Sequence, residues 1–383
     1  MLEHDQEDVQ MSADKSRYYL QTLLQHADVM LNGTRPWDTQ VHNEKVYERI
    51  LRQGELGLGE SYMDKWWDCQ QLDVFFDRVL RAKLDEKINI PLHYKFKLLA
   101  ARLLNFQSRY RAKEVAEKHY DLGNRLFNAM LDKRMMYSCG YWANTNNLDD
   151  AQTAKLDLIC RKLQLRPGMT LLDIGCGWGG LAKFAAENYQ ANVVGVTISE
   201  QQYEFAKEYC KGLPVDILLQ DYRDIKDKFD RIVSVGMFEH VGFRNYPTFM
   251  RTAHTALKDN GIFLLHTIGT NGALPLTNEW TVKYIFPNGM LPGIEQIAMA
   301  ADKYFVMEDW HNFGAYYDKT LMAWYQNFVG HWDSLKSEFD ERFYRMWTYY
   351  LLSCAGAFRA RYMQLWQVVF TKNPGQGVYM GVR

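Results

Sequence analysis

The chain of 383 residues is long enough to form two domains, or one domain with a large appendage. Its residues are 47% apolar and 24% charged, which is typical of a globular protein and excludes disordered, collagen-like and disulfide-scaffold chains. The 45 basic and 46 acidic side chains give a formal net charge of -1. We therefore expect no overall positive field that would attract nucleic acid, and no nucleic-acid partner.

The six cysteines are scattered without a Cys-x-x-Cys pair or metal-ligand spacing. This distribution predicts reduced thiols in the cytosol, with no disulfides and no metal site. The N-terminal residues MLEHDQEDVQ are acidic where a secretory signal is basic, and no apolar run reaches the roughly 18 residues that span a membrane. The expected protein is therefore cytoplasmic. Its aromatic content of 14% exceeds what a core requires and indicates affinity for lipid or for a cation.

Residues 1–115 are predicted to form a helical N-terminal domain, because short amphipathic stretches between Tyr18 and Arg111 are broken by Gly and Pro. Within this domain, residues 95–113 combine an apolar face with basic residues and no acidic residue before Lys113. The basic residues are Lys95, Lys97, Arg102, Arg109, Arg111 and Lys113. Such a helix can lie on an anionic membrane surface, where each basic residue contributes about 1 kcal/mol. A packed helix with a solvated basic face is the alternative.

The chain changes character after Asp150, where apolar segments, Gly-rich turns and helical stretches alternate. Four or five buried strands that alternate with helices predict a parallel sheet covered on both faces, a Rossmann-like α/β domain within residues 116–383. Residues 272–330 contain several Pro and Gly residues and are expected to form an insertion over the strand ends, where such sheets bind ligands. Residues 339–370 are expected to form a helix followed by an edge strand.

A glycine-rich turn, LLDIGCGWGG at residues 171–180, closes the first of these strands and opens a helix. Its glycines satisfy both the G-x-G-x-x-G spacing of dinucleotide sites and the D-x-G-x-G-x-G spacing of S-adenosylmethionine sites. A nicotinamide site requires an acidic residue about 20 positions later, yet the second strand ends in Gly195-Val196-Thr197. Asp173 lies inside the turn, where a carboxylate suits the methionine ammonium and would repel a pyrophosphate. The turn favours S-adenosylmethionine, and a turn without ligand is the remaining alternative.

Six segments in chain order resemble the cyclopropane-fatty-acid synthase family, which includes the mycolic acid cyclopropane synthases. They are HYDLGN at 119–124, MYSC at 136–139, LLDIGCGWGG at 171–180, VTISEQQ at 196–202, FEHVG at 238–242 and EDW at 308–310. Each segment alone is weak, whereas the six in this order are specific. GLGESYMDKWWDC at residues 57–69 resembles the branch that acts on phospholipids, the cyclopropane-fatty-acyl-phospholipid synthases. The mycolic acid enzymes largely lack this extra domain.

The resemblance implies the fold of an S-adenosylmethionine-dependent methyltransferase, in which a defined set of residues contacts the methyl donor. These residues are Tyr137, Ser138, Asp173, Ile174, Gly175, Cys176, Gly177, Gly179, Thr197, Ile198, Ser199, Gln202 and Tyr222. Thr197 and Gln202 would take the place of the acidic ribose ligand that is common in other methyltransferases. Tyr222 would lie beside the adenine.

The resemblance also implies a bound bicarbonate that acts as the base, and no metal. Its expected ligands are Cys139, Glu239, His266, the backbone at Ile268, and Tyr317. Each residue has a simpler alternative: Glu239 could cap a helix, His266 could be a satisfied core histidine, and Cys139 and Tyr317 could be packing residues. His266 and Ile268 share one face of a strand near its carboxyl end, which favours a role in the site.

Cys354, in the segment TYYLLSCAGAF, invites interpretation as a nucleophile. Its apolar and aromatic neighbours are expected to raise its pKa, and no base is near it in the sequence. We therefore retain Cys354 only as a candidate site residue and expect it to be a poor nucleophile.

The implied activity transfers a methylene group from S-adenosylmethionine to the cis double bond of unsaturated phospholipid acyl chains, forming cyclopropane fatty acids and S-adenosylhomocysteine. An isolated alkene is a poor nucleophile, so its π bond must lie roughly 3 to 3.5 Å from the sulfonium methyl in a dry site. Two alternatives remain: a methyltransferase that adds an intact methyl to a lipid alkene or head-group amine, and a membrane-bound S-adenosylmethionine-binding module without activity. The resemblance further implies a homodimer, associated peripherally with the inner face of a bacterial membrane.

Overall fold

The computed structural model describes residues 13–84, 123–271, 278–372 and 378–383. The segment at residues 95–113, for which membrane binding is predicted, lies outside the described residues. The N-terminal part consists of helices and one short antiparallel ladder: α1 (Ala13–Gln25), β1 (Gln40–Val41), α2 (Lys45–Met63), β2 (Trp67–Asp68) and α3 (Leu72–Arg81). β1 precedes α2 and β2 follows it, and the two can pair because α2 is kinked at Gly54, whose φ of 55° and ψ of -130° are not helical.

A seven-stranded sheet forms the centre of the remaining chain. Its strands are β3 (Thr170–Ile174), β4 (Asn192–Thr197), β5 (Val215–Leu219), β6 (Phe229–Val235), β7 (Leu257–Gly269), β8 (Val306–Asn312) and β9 (Gln364–Thr371). They follow the spatial order β5-β4-β3-β6-β7-β9-β8, in which β3 to β7 are parallel and β9 is antiparallel to both neighbours. The carboxyl ends of the parallel strands meet at one edge of the sheet, where ligands bind. The predicted Rossmann-like α/β fold class is confirmed.

Helices cover both faces of the sheet, which explains why its central strands are apolar on both sides. The helices are α4 (Asn124–Met130), α5 (Leu148–Lys162), α6 (Gly180–Tyr189), α7 (Glu200–Tyr209), α8 (Tyr246–Ala256), α9 (Glu279–Tyr284), α10 (Ile294–Ala301), α11 (Ala315–Gly330), α12 (Trp332–Leu335) and α13 (Glu341–Arg359). Leu156 and Leu181 lie in the core on one face of the sheet, and Phe249 and Phe263 lie in the core on the other. Short 3-10 turns follow β5 at Tyr222–Asp224 and β6 at Phe238–His240.

The last strand, β9, lies inside the sheet, so the prediction of an edge strand at the end of residues 339–370 is wrong. β9 pairs with β7 on one side and with β8 on the other, and all its residues before Thr371 are buried. β8, which belongs to the predicted insertion, is the edge strand. The sequence does not reveal this order, because α11, α12 and α13 separate β8 from β9 along the chain.

The N-terminal helices and the last helix share one apolar core. α3 packs so closely on α13 that a Cβ at Gly356 would lie 2.5 Å from the carbonyl oxygen of Asp73. Phe76 on α3 and Trp347 on α13 are buried, and Arg359 forms an ion pair with Asp73 at 2.7 Å. Burying one such aromatic side chain contributes about 1.5 to 3 kcal/mol. The N-terminal helices therefore stabilise the helical layer beside the sheet.

The segment GLGESYM of α2 also contacts α9. Glu60 accepts hydrogen bonds from Lys283 Nζ at 2.5 Å and from Tyr284 O–H at 2.8 Å, and it pairs with Arg49 at 2.6 Å. Burial raises the pKa of Glu60, but these hydrogen bonds lower it to about 2. The carboxylate is thus ionised throughout the neutral range, and it ties the N-terminal helices to the chain that leads into the site.

Other features bear on the expectations drawn from composition. All six cysteines are free thiols, and only Cys354 among them is partly exposed. Within the described ranges, no helix has the length and apolar character needed to cross a membrane. In the same part of the chain, no group of three or more His, Cys, Asp and Glu side chains is placed to hold a metal ion.

Candidate active site

A cavity opens at the carboxyl ends of β3 to β6, and its wall contains nearly all residues expected to contact the methyl donor. These wall residues are Tyr137, Ser138, Asp173, Ile174, Gly175, Cys176, Gly177, Thr197, Ile198, Ser199, Gln202 and Tyr222. Gly179 does not line the cavity, because it faces α7, where a Cβ would lie 3.1 Å from Ala206 and from Cys210. In this structure Gly179 shapes the turn and the packing of α7.

The turn after β3 brings bare backbone to the cavity. Gly175, Gly177 and Gly179 have φ angles of 82°, 55° and 83°, a region that residues with a Cβ rarely adopt. No described atom lies within 4 Å of an ideal Cβ on Gly177, so its backbone faces open space. The N–H groups of Gly175 and Cys176 donate to the Val196 carbonyl at 2.9 and 3.0 Å. These bonds hold the turn against β4 and leave a surface that a ligand can approach closely.

Asp173, near the end of β3, presents a buried carboxyl group to the cavity. Burial raises the pKa of Asp173 to about 7, and the nearby charge of Lys155 opposes that rise. A second cation placed against Asp173 would further favour its ionised form. The turn therefore fits the ammonium group of S-adenosylmethionine, and a pyrophosphate would be repelled.

Thr197 and Gln202 form one hydrogen-bonded unit where β4 passes into α7. Thr197 Oγ1 donates to Gln202 Oε1 at 2.9 Å, and the Ser199 N–H donates to Thr197 Oγ1 at 3.2 Å. Ser199 caps α7 by accepting from the Gln202 N–H at 3.3 Å. Because Gln202 Oε1 accepts from Thr197, the amide N–H groups of Gln202 are the donors that can meet ribose hydroxyls. This arrangement supports the predicted substitution of the acidic ribose ligand.

Several residues of the cavity wall lie outside the predicted set. Asp221 and Arg223 follow β5, line the cavity, and form an ion pair at 2.8 Å. An Asp-x-Arg pattern shortly after the apolar run of β5 is the sequence feature that could have indicated them. Pro287 and Asn288, between α9 and α10, also line the cavity, as does His240. Burial lowers the pKa of His240 to about 4, so its ring is neutral at physiological pH.

A second polar group lies where the turn after β6 meets β7. Glu239 Oε1 accepts from the Ile268 N–H at 2.7 Å, and among the described residues the buried Glu239 Oε2 has no hydrogen-bond partner. Burial raises the pKa of Glu239 to about 7, although the Ile268 N–H opposes the rise. The Glu239 side chain caps no helix, so that simpler alternative does not hold. In this structure the Ile268 backbone positions Glu239.

His266 on β7 lies directly opposite Gln367 on β9. Gln367 Nε2 donates to His266 Nδ1 at 3.3 Å, so the neutral ring carries its proton on Nε2. His266 Nε2 is buried and, within the described ranges, has no hydrogen-bond partner. Burial, together with the charges of Lys155 and Lys162, lowers the pKa of His266 well below its ordinary value. His266 is therefore a neutral hydrogen-bond donor and not a satisfied core histidine.

Cys139, Glu239 and Cys354 each lie close enough to Tyr317 for their charged forms to add to the rise that burial causes in the pKa of Tyr317. Cys139 is fully buried, and burial raises its pKa, so the thiol is neutral and donates to the next carbonyl at 3.2 Å. The Tyr317 ring stacks on Phe358 with centroids 4.4 Å apart. Burial raises the pKa of Cys354 to about 12, which agrees with the expectation of a poor nucleophile.

Tyr137 lies on the cavity wall, and both Tyr137 and Tyr317 pack against Trp324. Tyr137 forms a hydrogen bond between its hydroxyl and the Tyr350 hydroxyl at 2.8 Å. Its ring packs against Phe127 and Trp324, each with centroids 5.2 Å away. Aromatic faces attract cations and exclude water, so this wall suits a reaction in which a carbon atom becomes positively charged.

Together, the parallel sheet, the glycine turn with Asp173, and the Thr197–Gln202 unit define the class of S-adenosylmethionine-dependent methyltransferases. Comparison with known proteins narrows this class. The mycolic acid cyclopropane synthetase family model matches residues 107–368, and the chain belongs to that family.

Relatives of this chain fall into two groups by the length that they share with it. It is 55% identical over 374 residues to the cyclopropane-fatty-acyl-phospholipid synthase of Escherichia coli (strain K12), covering 97% of each chain. The structure of the cyclopropane synthase MmaA2 from Mycobacterium tuberculosis is 34% identical, with a TM-score of 0.65, and covers 68% of this chain and 98% of that one. Mycolic acid cyclopropane synthase CmaA1, complexed with SAH and CTAB, shares 34% identity, a TM-score of 0.64 and the same coverage.

Proposed function

We propose that the chain transfers a methylene group from S-adenosylmethionine to the cis double bond of unsaturated phospholipid acyl chains, releasing S-adenosylhomocysteine. A phospholipid substrate is supported by the Escherichia coli relative, which matches 97% of this chain, whereas the mycobacterial structures cover 68% of it. One observation carries the proposal: the donor cavity adjoins a buried group in which Glu239 Oε2 and His266 Nε2 have no partner among the described residues.

The residues of the cavity fit the methyl donor. S-adenosylmethionine, when bound, supplies an electrophilic methyl group. Asp173 would bind its ammonium end, and Thr197 and Gln202 would bind its ribose hydroxyls. The aromatic wall at Tyr137 keeps water from the reacting carbon atoms, since water would otherwise trap the cation that forms when an alkene accepts a methyl group.

The unpartnered atoms of the second polar group fit a bicarbonate ion. Bicarbonate, when bound, supplies the base that removes the proton lost in ring closure. Glu239 Oε2 can accept from a hydroxyl, while His266 Nε2–H and the Tyr317 hydroxyl can donate to oxygens of the same ion. The neutral thiol of Cys139 donates to the Gly140 carbonyl, and it can add a weak donor to the ion only by turning away from that carbonyl. The Ile268 N–H holds Glu239 in place, and Gln367 holds His266 in the tautomer that donates.

The proposed activity is tested by incubating the purified chain with labelled S-adenosylmethionine and vesicles of unsaturated phospholipid. The acyl chains are expected to gain about 14 mass units, the increment of one transferred carbon as CH₂. Resistance of the product to bromine addition distinguishes a ring from a branched alkene. Label found only in the head group would contradict the proposal, and vesicles of saturated phospholipid serve as the control.

Sedimentation of the same preparation checks the homodimer, which the resemblance alone implies.

We also propose that the protein binds the inner face of the membrane peripherally through residues 95–113. Flotation with anionic vesicles is expected to fall as the salt concentration rises, because salt screens the attraction between basic side chains and anionic lipids. The screening length is about 10 Å at 0.1 M salt. Replacing the six basic residues of this segment by Gln is expected to abolish that flotation at low salt. Deleting residues 1–115 is a poorer test, because it would expose the face of α13 that contacts Phe76.

The matched control for the vesicle experiment replaces exposed basic residues elsewhere, such as Lys211 and Lys336, which are 74% and 60% exposed. These variants are expected to float like the parent, because their charges lie outside the segment. Equal flotation of the parent and the variant with six substitutions would contradict the proposed membrane contact.

A further inference from the structure

Lys155 is a fully buried lysine in α5 that has no role in the proposed reaction. Its Nζ donates to Ser138 Oγ at 3.0 Å. Transfer of an ammonium group from water into a protein interior is costly, and such a group persists where hydrogen bonds and opposite charges compensate. Ser138 lines the donor cavity and Lys155 does not, so Lys155 contacts the back of a cavity residue.

Helix α5 holds Ser138 with two side chains one turn apart. Gln152 Nε2 donates to the Ser138 carbonyl at 2.7 Å and so fixes the backbone, whereas Lys155 fixes the hydroxyl. An ammonium group has donors and no acceptor, so Ser138 Oγ must accept from it. The hydroxyl proton of Ser138 is then left to donate toward the cavity. Lys155 thus makes Ser138 a donor toward an acceptor such as a carboxylate group.

The charge of Lys155 acts on groups from several elements. The titratable groups that face it are Asp132 after α4, Cys139, Asp173 on β3, and His266 on β7. The Asp132 carboxyl group already accepts hydrogen bonds from the N–H groups of Arg134 and Met136. Cys139 and His266 are neutral. Of the two carboxyl groups in this set, Asp173 is the one that lines the cavity.

Asp173 has few other titratable neighbours. Besides Lys155, the groups that interact with it are thiols: Cys160, Cys176 and Cys210. Burial raises the pKa of each of these thiols, so they stay neutral near pH 7. Among the described residues, Lys155 is the charge that opposes the effect of burial on Asp173.

We propose that Lys155 is a positioning residue for the methyl donor, which orients the Ser138 hydroxyl as a donor and holds Asp173 as a carboxylate. The cavity is thereby matched to a ligand that carries a carboxylate and an ammonium group on one carbon, as S-adenosylmethionine does. This inference rests on the proposed use of S-adenosylmethionine as the methyl donor.

Calorimetric titration with S-adenosylhomocysteine between pH 6 and pH 9 tests the inference. Burial lowers the pKa of Lys155 to about 8, so Lys155 carries its charge through the Asp173 midpoint and loses it in the upper part of this range. The affinity of the parent is expected to rise with pH through the Asp173 pKa of about 7, because the carboxylate form attracts the ligand ammonium. Lys155→Met removes the charge that opposes the effect of burial, so the pKa of Asp173 rises. The midpoint should therefore shift by about one pH unit to higher pH, and the affinity at pH 7 should fall about fivefold, because the ionised fraction of Asp173 falls by that factor.

Lys162→Met is the matched control. Lys162 lies in the same helix, its side chain is also fully buried, and burial lowers the pKa of both lysines to about 8. Its partners are Asp309 at 3.4 Å and His311 Nδ1 at 3.1 Å, which are not part of the cavity wall. This variant is expected to lose stability and to keep the parent's midpoint for ligand binding.

Lys155→Gln separates the two roles and decides the question if the Met variant does not fold. Its amide can still donate to Ser138 but carries no charge, so it should shift the midpoint with a smaller loss of affinity at pH 9. Superimposable pH profiles for the parent and a folded Lys155 variant would overturn the inference, as would an equal shift in Lys162→Met. Failure of the parent to bind S-adenosylhomocysteine would instead contradict the proposed donor.

Discussion

Replacing Glu239 by Gln is expected to lower the rate of ring formation by about three orders of magnitude, within the range for loss of acid–base catalysis. The Gln amide oxygen can still accept from the Ile268 N–H, so the local fold is preserved. Its NH₂ group then occupies the position of Oε2, where it can donate but cannot accept from a bicarbonate hydroxyl. S-adenosylhomocysteine binding is expected to change by less than about twofold, because Glu239 does not line the donor cavity.

The measurement is cyclopropane formation in buffer freed of carbonate and then supplemented with bicarbonate. The parent is expected to respond to added bicarbonate with saturation, and the Glu239→Gln variant is expected not to respond. Glu308→Gln is the control, because Glu308 is a partly buried carboxylate on β8 that accepts from Thr371 Oγ1 at 2.6 Å, away from the cavity. Turnover by Glu239→Gln equal to that of Glu308→Gln would rule out the proposed role.

Asp173→Asn is expected to weaken S-adenosylhomocysteine binding about 100-fold at pH 8, the equivalent of about 3 kcal/mol for a hydrogen bond between charged groups. Burial raises the pKa of Asp173 to about 7, so the parent is mostly ionised at pH 8 and mostly neutral at pH 6. Asn is neutral at both pH values. The loss of affinity in the variant should therefore be about tenfold smaller at pH 6 than at pH 8.

Equilibrium titrations at the two pH values check this prediction. Asp216→Asn is the control, because Asp216 is an exposed residue of β5 that does not line the cavity. It is expected to bind like the parent at both pH values. A loss in Asp173→Asn that is equal at pH 6 and pH 8 would show that the carboxylate charge is not what the ligand recognises.

The donor half of the site could be predicted from the sequence because its determinants are local. Asp173 and the glycines occupy one turn, and a turn of this composition restricts both the backbone conformation and the class of ligand that fits. Thr197 and Gln202 are likewise close in sequence, at the end of the next strand. The parallel sheet follows from the same segments, since each apolar run is bounded by a turn and a helix.

The second half of the site depends on contacts that no local pattern reveals. Gln367 lies 101 positions from His266, and the strand that carries it was expected at the edge of the sheet. A polar residue in a strand favours an edge, yet the Gln367 amide is buried against the His266 ring. The burial of Lys155 could not be predicted for a related reason, because a lysine in an amphipathic helix indicates a solvated face. Its burial follows from the loop that carries Ser138, which lies across α5.

β9 follows both of its neighbours in the chain, and β8 joins the sheet only through β9. Residues 364–371 must leave the ribosome before they can pair with β7 and β8. One edge of β7 therefore stays unpaired while α11 and α13 are synthesised. Pairings that wait for distant chain form slowly, and unpaired edges can associate with other chains in the meantime. The strands of the methyl-donor half can thus pair early in translation, whereas His266 gains its partner Gln367 only after a further 101 residues have been synthesised.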